Sequence, residues 1–134
     1  MVLALLVCVV SSCDLAQSHV DANVPPKQDF DSFLKRDLTK YFSDGKEATV
    51  VIQYELLRDG PTQTGISYPK FYAWVRVVRN GTHKEDGAVR LAAIDGLRFE
   101  VTDYLNRATL ISTPSQMESV FPKSVCDRIR EKLN

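Results

Sequence analysis

Apolar residues recur at helical spacing between Lys27 and Gly45. In the stretch KQDFDSFLKRDLTKYFSDG they are separated by steps of three, one, four, three and one, which places them on one face of a helix. These residues are Phe30, Phe33, Leu34, Leu38, Tyr41 and Phe42. Asp29 or Asp31 suits the beginning of such a helix and Gly45 suits its end. The pattern predicts an amphipathic helix that needs an apolar partner.

The spacing of apolar residues then changes to the alternation that is typical of β-strands. The stretch EATVVIQYELL predicts strand one, from about Ala48 to Leu57. One face of this strand carries Val50, Ile52, Tyr54 and Leu56. A loop rich in glycine and small polar residues leads to KFYAWVRVV, residues 70–78, as strand two. Its two faces carry Phe71, Ala73, Val75 and Val77 on one side and Tyr72, Trp74, Arg76 and Val78 on the other.

Turn dipeptides introduce two further strands. Asn80-Gly81 and Asp86-Gly87 both favour the positive φ angles of a tight hairpin that leads into strand three, AVRLAAI. Asp95-Gly96 is a further turn candidate before strand four, LRFEVTDYL. The sequence thus predicts four consecutive antiparallel strands.

The C-terminal stretch TPSQMESVFPKSVCDRIREKL predicts two short helices divided by Pro122. The predicted fold class is therefore α+β, with the N-terminal amphipathic helix packed on one face of a four-stranded antiparallel sheet. We assign residues 27–134 to this single domain.

The order of these elements, one helix followed by an antiparallel meander, resembles the cystatin-like or NTF2-like superfamily. The resemblance is one of element order. It implies a curved sheet wrapped around the helix, and in an NTF2-like protein it implies a cavity between the helix and the sheet.

The first twelve residues form an uncharged and mostly apolar segment. Its apolar part, Met1 to Val10, has about half of the ~20 residues that a membrane-spanning helix needs. Residues 1–12 are therefore predicted to be a signal peptide. A basic n-region is absent, so we expect the true start upstream of Met1. The alternative, a buried N-terminal strand or helix, would show an amphipathic period that this segment lacks.

The residues Val10-Ser11-Ser12-Cys13 resemble the lipobox of bacterial lipoproteins, in which two small residues precede a cysteine that is acylated and becomes the new N-terminus. The resemblance implies that Cys13 carries fatty acids such as palmitate and binds the chain to a membrane. In Gram-negative lipoproteins an aspartate directly after this cysteine retains the protein at the inner membrane, and Asp14 occupies that position. The alternative is ordinary signal-peptidase cleavage after Cys13. Both alternatives place the folded body outside the cytosol.

Residues 13–26 are predicted to form an acylated N-terminus and a flexible tether. The stretch DLAQSHVDANVPP has no period and closes with two prolines, which disfavour a helix before them. At about 3.3 Å per residue, thirteen residues would let the domain stand at most about 40 Å from the bilayer.

Composition and charge argue against several functions. Seventeen basic and seventeen acidic residues give a net charge of zero, which argues against nucleic acid as a partner. With Cys13 acylated, Cys126 has no partner for a disulfide and is predicted to be a buried thiol. His19 and His83 lack the spacing of a metal site or a hydrolase. We therefore expect no metal, no cofactor and no enzymatic activity.

Two groups of residues are candidates for a site. The first combines residue types that are enriched at protein interfaces, on the face of strand two that the N-terminal helix would leave open: Tyr72, Trp74 and Arg76. The alternative is that the C-terminal helices cover this face. The second group would line an NTF2-like pocket in which a desolvated carboxylate acts as a general base: Tyr54, Trp74, Asp95, Asp103 and Tyr104. The alternative is that these acids are solvated turn residues.

Taken together, these features predict an exported, lipid-anchored and non-catalytic binding or assembly module of the bacterial cell envelope, at the periplasmic face of the inner membrane. Its expected partners are the membrane and either another protein or a second copy. Without lipid it would be secreted or periplasmic. The alternative function is an NTF2-like small-ligand-binding protein or minor enzyme.

Overall fold

The computed structural model describes residues 13–43 and 49–134, with side chains from Ser18 onward. The helices are α1 (Cys13–Asn23), α2 (Lys27–Ser43), α3 (Arg107–Ser112), α4 (Pro114–Val120) and α5 (Lys123–Leu133). The strands are β1 (Val50–Leu56), β2 (Lys70–Arg79), β3 (His83–Ile94) and β4 (Arg98–Asn106). The predicted signal peptide, residues 1–12, and the predicted helix stop at Gly45 lie outside the described residues.

The four strands form one antiparallel sheet in the order β1-β2-β3-β4. This confirms the predicted α+β class and the predicted meander. Two of the three predicted turn dipeptides form tight turns, because Asn80-Gly81 and Asp95-Gly96 have positive φ at both residues. The third, Asp86-Gly87, lies inside β3, which begins five residues earlier than the sequence predicts.

One face of the sheet packs against α2, the predicted amphipathic helix. Leu34, Leu38 and Phe42 are buried on this face. Their partners on β2 are the four residues that the sequence assigns to one face, namely Phe71, Ala73, Val75 and Val77. Phe30 adds edge-to-face ring contacts with Phe71 and Phe99, at centroid distances of 5.1 Å for both. The larger of the two cores therefore lies between α2 and the sheet.

The opposite face of the sheet is covered by the C-terminal helices. Their buried apolar residues are Leu110, Met117, Val125, Cys126 and Ile129, with Phe121 between α4 and α5. They pack on side chains of β2, β3 and β4, including Tyr72, Trp74, Ala88 and Leu105. The two predicted helices around Pro122 are confirmed, whereas α3 is not predicted by the sequence. The described chain thus has three layers, with helices on both faces of the sheet.

The segment predicted to be a flexible tether is mostly helical. Helix α1 covers Cys13–Asn23, so the prediction of an irregular segment is wrong for these residues. The two prolines restrict only the residue before each of them, so they end α1 and leave its earlier turns intact. Asn23 is buried at 6% exposure, and it accepts hydrogen bonds from the backbone of the β3–β4 turn, at Asp95 N (3.1 Å) and Gly96 N (2.8 Å).

Candidate binding surface at the free edge of β1

One side of strand β1 is hydrogen-bonded to β2, and the other side is free among the residues that the structure describes. Leu57 N donates to Tyr72 O (2.8 Å) and Asn80 N donates to Thr49 O (2.9 Å). In an antiparallel pair such bonded positions alternate, so the odd-numbered residues of β1 bond to β2. The even-numbered residues, Ile52 and Tyr54 in the middle, therefore turn their backbone N–H and C=O groups away from the sheet. Within the described part of the chain, these groups have no hydrogen-bond partner.

A groove of about 340 Å³ runs along this free edge. Five consecutive residues of β1, Ile52 to Leu56, form one wall, and Asp31 and Lys35 of α2 form the other. The Tyr54 hydroxyl donates a hydrogen bond to Asp31 Oδ1 (2.6 Å), and Lys35 Nζ lies 3.3 Å from Asp31 Oδ2. The groove is therefore bordered by one acidic and one basic side chain of the same helix.

These contacts set the charges of the groove. The hydrogen bond from Tyr54, followed by the ammonium of Lys35, lowers the pKa of Asp31, so this carboxylate is ionised at neutral pH. Burial, and then the hydrogen bond to Asp31, raises the pKa of the Tyr54 hydroxyl, so Tyr54 stays neutral and donates. The Tyr54–Asp31 hydrogen bond joins α2 to β1 beside the edge.

The other side of the β1 edge faces α5. Lys132 Nζ donates a hydrogen bond to Glu55, and Arg128 Nη2 lies 3.8 Å from Glu55 Oε1. The hydrogen bond from Lys132 lowers the pKa of Glu55, which is therefore charged and paired. Val51 on the same side is 55% exposed. This face of β1 thus presents the apolar Val51 to solvent, together with Glu55, whose charge is neutralised by Lys132 and Arg128.

Strand β4, at the other edge of the sheet, is protected against pairing. The backbone N–H of Phe99 donates to Asp37 Oδ2 of α2 (2.7 Å), so a side chain occupies one of its edge groups. Its register with β3 shifts between Arg90 and Leu91, which is a bulge-type irregularity. Its sequence also carries several charged residues, Arg98, Glu100 and Asp103. Charges, bulges and capped groups are the features that keep natural sheet edges from pairing. Among the described residues, β1 shows no bulge and no capped outward backbone group, and its one charged residue, Glu55, is paired with Lys132 and Arg128 of α5.

The predicted interface of Tyr72, Trp74 and Arg76 is wrong for its two aromatic residues. Tyr72 is 4% exposed and Trp74 is 7% exposed, because α3, α4 and α5 cover them. The Tyr72 hydroxyl is paired with Thr62 Oγ1 (2.6 Å), and the Arg107 guanidinium lies 5.4 Å from the Trp74 ring centroid. Only Arg76 is exposed.

The predicted pocket residues do not converge. Tyr54 lies on β1 and Tyr104 on β4, which are the two opposite edges of the sheet. Asp103 points to the other face, where it forms an ion pair with Arg90 (2.6 Å). Asp95 is exposed in the β3–β4 turn. The prediction of a common pocket is therefore wrong, because neighbouring residues of a strand point to opposite faces and two strands separate the tyrosines.

The other candidate residues are the cysteines, the two histidines and Asp14. Cys126 is buried, as predicted, and burial raises the pKa of its thiol. His19 is hydrogen-bonded to Ser67 O (2.9 Å), and His83 is the exposed first residue of β3. Among the residues with described positions, no group of three or more His, Cys, Asp or Glu is placed to hold a metal ion. Cys13 and Asp14 begin α1, and their side chains lie outside the described part.

Within residues 13–43 and 49–134, no helix combines the length and the apolar character that crossing a membrane requires.

Comparisons with protein-family models, with curated proteins and with solved structures found no match to this chain. The lipobox and the cystatin-like or NTF2-like resemblance stay predictions from the sequence.

The sequence contains part of the signal for this site. The alternation in strand one places Ile52 and Tyr54 on the α2 face, and a meander places the first and last strands at the edges. The contrast in charge between strand one and strand four is also visible in the sequence. The covering of the second sheet face by the C-terminal helices is the alternative that the sequence leaves open, and tertiary packing decides it.

Proposed function

We propose that this chain is a lipid-anchored, non-catalytic binding module of the bacterial cell envelope, and that it binds through the free edge of β1. The observation that carries the proposal is the row of unpartnered backbone groups at Ile52 and Tyr54 beside the groove. An extended segment can add to such an edge as a further strand, with main-chain hydrogen bonds giving affinity and the flanking groove giving side-chain specificity.

The proposed anchor is Cys13, at the periplasmic face of the inner membrane. Its support is the uncharged apolar segment before it, the small residues Ser11 and Ser12, and Asp14 directly after it. Helix α1 adds a geometric consequence. From Cys13 to Asn23 it spans about 15 Å at 1.5 Å per residue, and Asn23 is bonded to the β3–β4 turn. A lipid on Cys13 would thus hold the domain much closer to the bilayer than a 40 Å extended tether.

For the detailed fold we propose a cystatin-like or NTF2-like arrangement. Its support is the order of α2 and the four strands, together with the packing of α2 on one sheet face. The three C-terminal helices on the opposite face would be an addition to that plan.

The anchor is tested by substituting Cys13 in the full chain. Cys13→Ala should abolish incorporation of labelled palmitate and move the protein from the membrane pellet to the soluble fraction, because a thioether-linked lipid can no longer form. Cys8→Ala is the matched control, since this cysteine lies within the predicted signal peptide, and it should leave both readouts unchanged. Palmitate labelling that survives Cys13→Ala would contradict the proposal.

The sorting role of Asp14 has its own readout in the same experiment. Asp14→Ser should retain palmitate labelling but shift the protein from inner-membrane to outer-membrane fractions. An unchanged distribution of a labelled Asp14→Ser protein would refute inner-membrane retention by Asp14 without affecting the anchor.

A further inference from the structure

We propose that the partner at the β1 edge is a second copy of the same chain, and that the two β1 strands pair antiparallel about a two-fold axis at Gln53. This inference rests on the binding role of the β1 edge proposed above and names its partner. It does not depend on the lipid anchor.

The backbone of β1 is suited to this pairing. Strand β1 runs over Val50–Leu56, and its middle residue, Gln53, bonds to β2. A two-fold axis at Gln53 places Ile52 opposite the partner's Tyr54, and Val50 opposite the partner's Leu56. All four of these residues turn their N–H and C=O groups outward. The two-fold axis repeats both pairs, so there are four opposed pairs. Each pair can exchange two hydrogen bonds, about eight in total. The two sheets then become one sheet of eight strands.

The charges beside the groove are complementary under the same axis. Helix α2 runs from the Tyr54 end of β1 to the Val50 end, because Asp31 bonds to Tyr54 and Phe42 O accepts a hydrogen bond from Arg79, the partner of Val50. Lys35 therefore lies toward Ile52. Since the axis brings Tyr54 of one copy opposite Ile52 of the other, Asp31 of each copy faces Lys35 of its partner. Opposite charges meet at both ends of this contact.

The other edge of the sheet explains why the assembly stops at two copies. Phe99 N is occupied by Asp37, and β4 carries charges and lies beside the register shift. A chain with one free edge pairs once and closes, whereas a chain with two free edges extends into a filament. The structure therefore favours a closed dimer.

A single cysteine at the two-fold axis tests the register directly. In a pair that does not exchange hydrogen bonds, opposed Cα atoms lie about 4.5 Å apart, which is within the usual range for a disulfide. Gln53→Cys in the full chain, expressed in cells and mildly oxidised, should give a disulfide-linked dimer on a non-reducing gel. The side chain of Gln53 is exposed, so the substitution should not disturb the fold.

Val51→Cys is the matched control. It lies on the same strand and the same face and is 55% exposed. The proposed register places Val51 opposite the partner's Glu55, so the Cα atoms of position 51 in the two copies would be about 14 Å apart at ~3.4 Å per residue. This variant should stay monomeric on the gel. Equal cross-linking of both variants, no cross-linking of either, or a disulfide from position 53 to a different protein would overturn the proposal.

Charged substitutions at Gln53 provide a second test, in which self-association is measured in solution. Gln53→Lys and Gln53→Glu each place like charges opposite one another and should weaken self-association by about two- to fivefold in sedimentation velocity. An equimolar mixture of the two variants should restore it. A mixture no stronger than the separate variants would overturn the proposed register.

The anchor and the pairing are distinguished by repeating the cross-linking in a Cys13→Ala background. In the Cys13→Ala background, a Gln53→Cys dimer that persists without palmitate labelling shows that pairing is independent of the anchor. In the chain that keeps Cys13, palmitate-labelled protein that gives no Gln53→Cys dimer would contradict the pairing and leave the anchor intact.

Discussion

Gly87 shows at the residue scale why a glycine stands inside a strand. A Cβ added at this position would meet the backbone oxygen of Leu105 and would lie 2.8 Å from Asn106 Cα. These atoms belong to the backbone of β4 and cannot rotate away. Glycine is therefore required at position 87 because β3 and β4 lie close together there. The dipeptide Asp86-Gly87 looks like the turn signal Asn80-Gly81 but serves this different purpose.

Substitution of Gly87 tests this explanation. We predict that Gly87→Ala lowers the free energy of unfolding by about 1–3 kcal/mol, because the added methyl group forces β3 and β4 apart. Gly60→Ala is the control, since no atom of the described residues lies within 4 Å of a Cβ at that position, and its change should stay within about 0.5 kcal/mol. Urea denaturation measures both. Equal effects of the two substitutions would show that backbone crowding at β4 is not the reason for Gly87.

At the element scale, the C-terminal helices decide which surfaces of the sheet remain accessible. Ile129 of α5 is fully buried in the same cluster as Trp74 of β2. The period of this helix could be predicted from Val125, Ile129 and Leu133. The face that it covers stays one of two alternatives in the sequence, because the local sequence does not say where a short helix returns to the sheet.

Removal of the Ile129 side chain tests this covering. We predict that Ile129→Ala destabilises the protein by about 2–5 kcal/mol, since it leaves a cavity in the cluster. It should also shift the Trp74 emission toward longer wavelengths, because water gains access to the indole. Ser124→Ala, at an exposed position of the same helix, should change neither quantity. An unchanged emission in a destabilised Ile129→Ala protein would place Trp74 outside this cluster.

Helix α1 and strand β3 show a second limit of sequence reasoning at the element scale. The periodic elements, α2 and the four strands, are predicted because each buries a regular set of apolar residues. Helix α1 has no such period and is held by polar contacts of Asn23 with residues more than seventy positions away. Contacts of that kind leave no periodic trace in the sequence. The first residues of β3, His83 to Asp86, are polar, and the sequence predicts a hairpin turn there because Asp86-Gly87 carries a turn signal.

At the scale of the whole molecule, helices cover both sheet faces, and among residues 13–43 and 49–134 the edge of β1 is the strand edge left open. The two aromatic residues of the interface predicted on β2 are buried, and the edge of β1 is the binding surface that we propose instead. Because Asn23 joins α1 to the body, the proposed lipid on Cys13 would confine the domain to the membrane surface. Confinement to a surface raises the local concentration of copies and favours pairing.

Residue-resolved hydrogen exchange along β1 tests this account most directly. In dilute protein, the outward amides of Ile52 and Tyr54 should exchange quickly, whereas those of Gln53 and Glu55, which bond to β2, should be protected. After assembly on membranes, we predict that Ile52 and Tyr54 become protected as well, while Gln53 and Glu55 stay unchanged. Amides of Ile52 and Tyr54 that exchange equally fast in dilute and membrane-assembled protein would contradict the account.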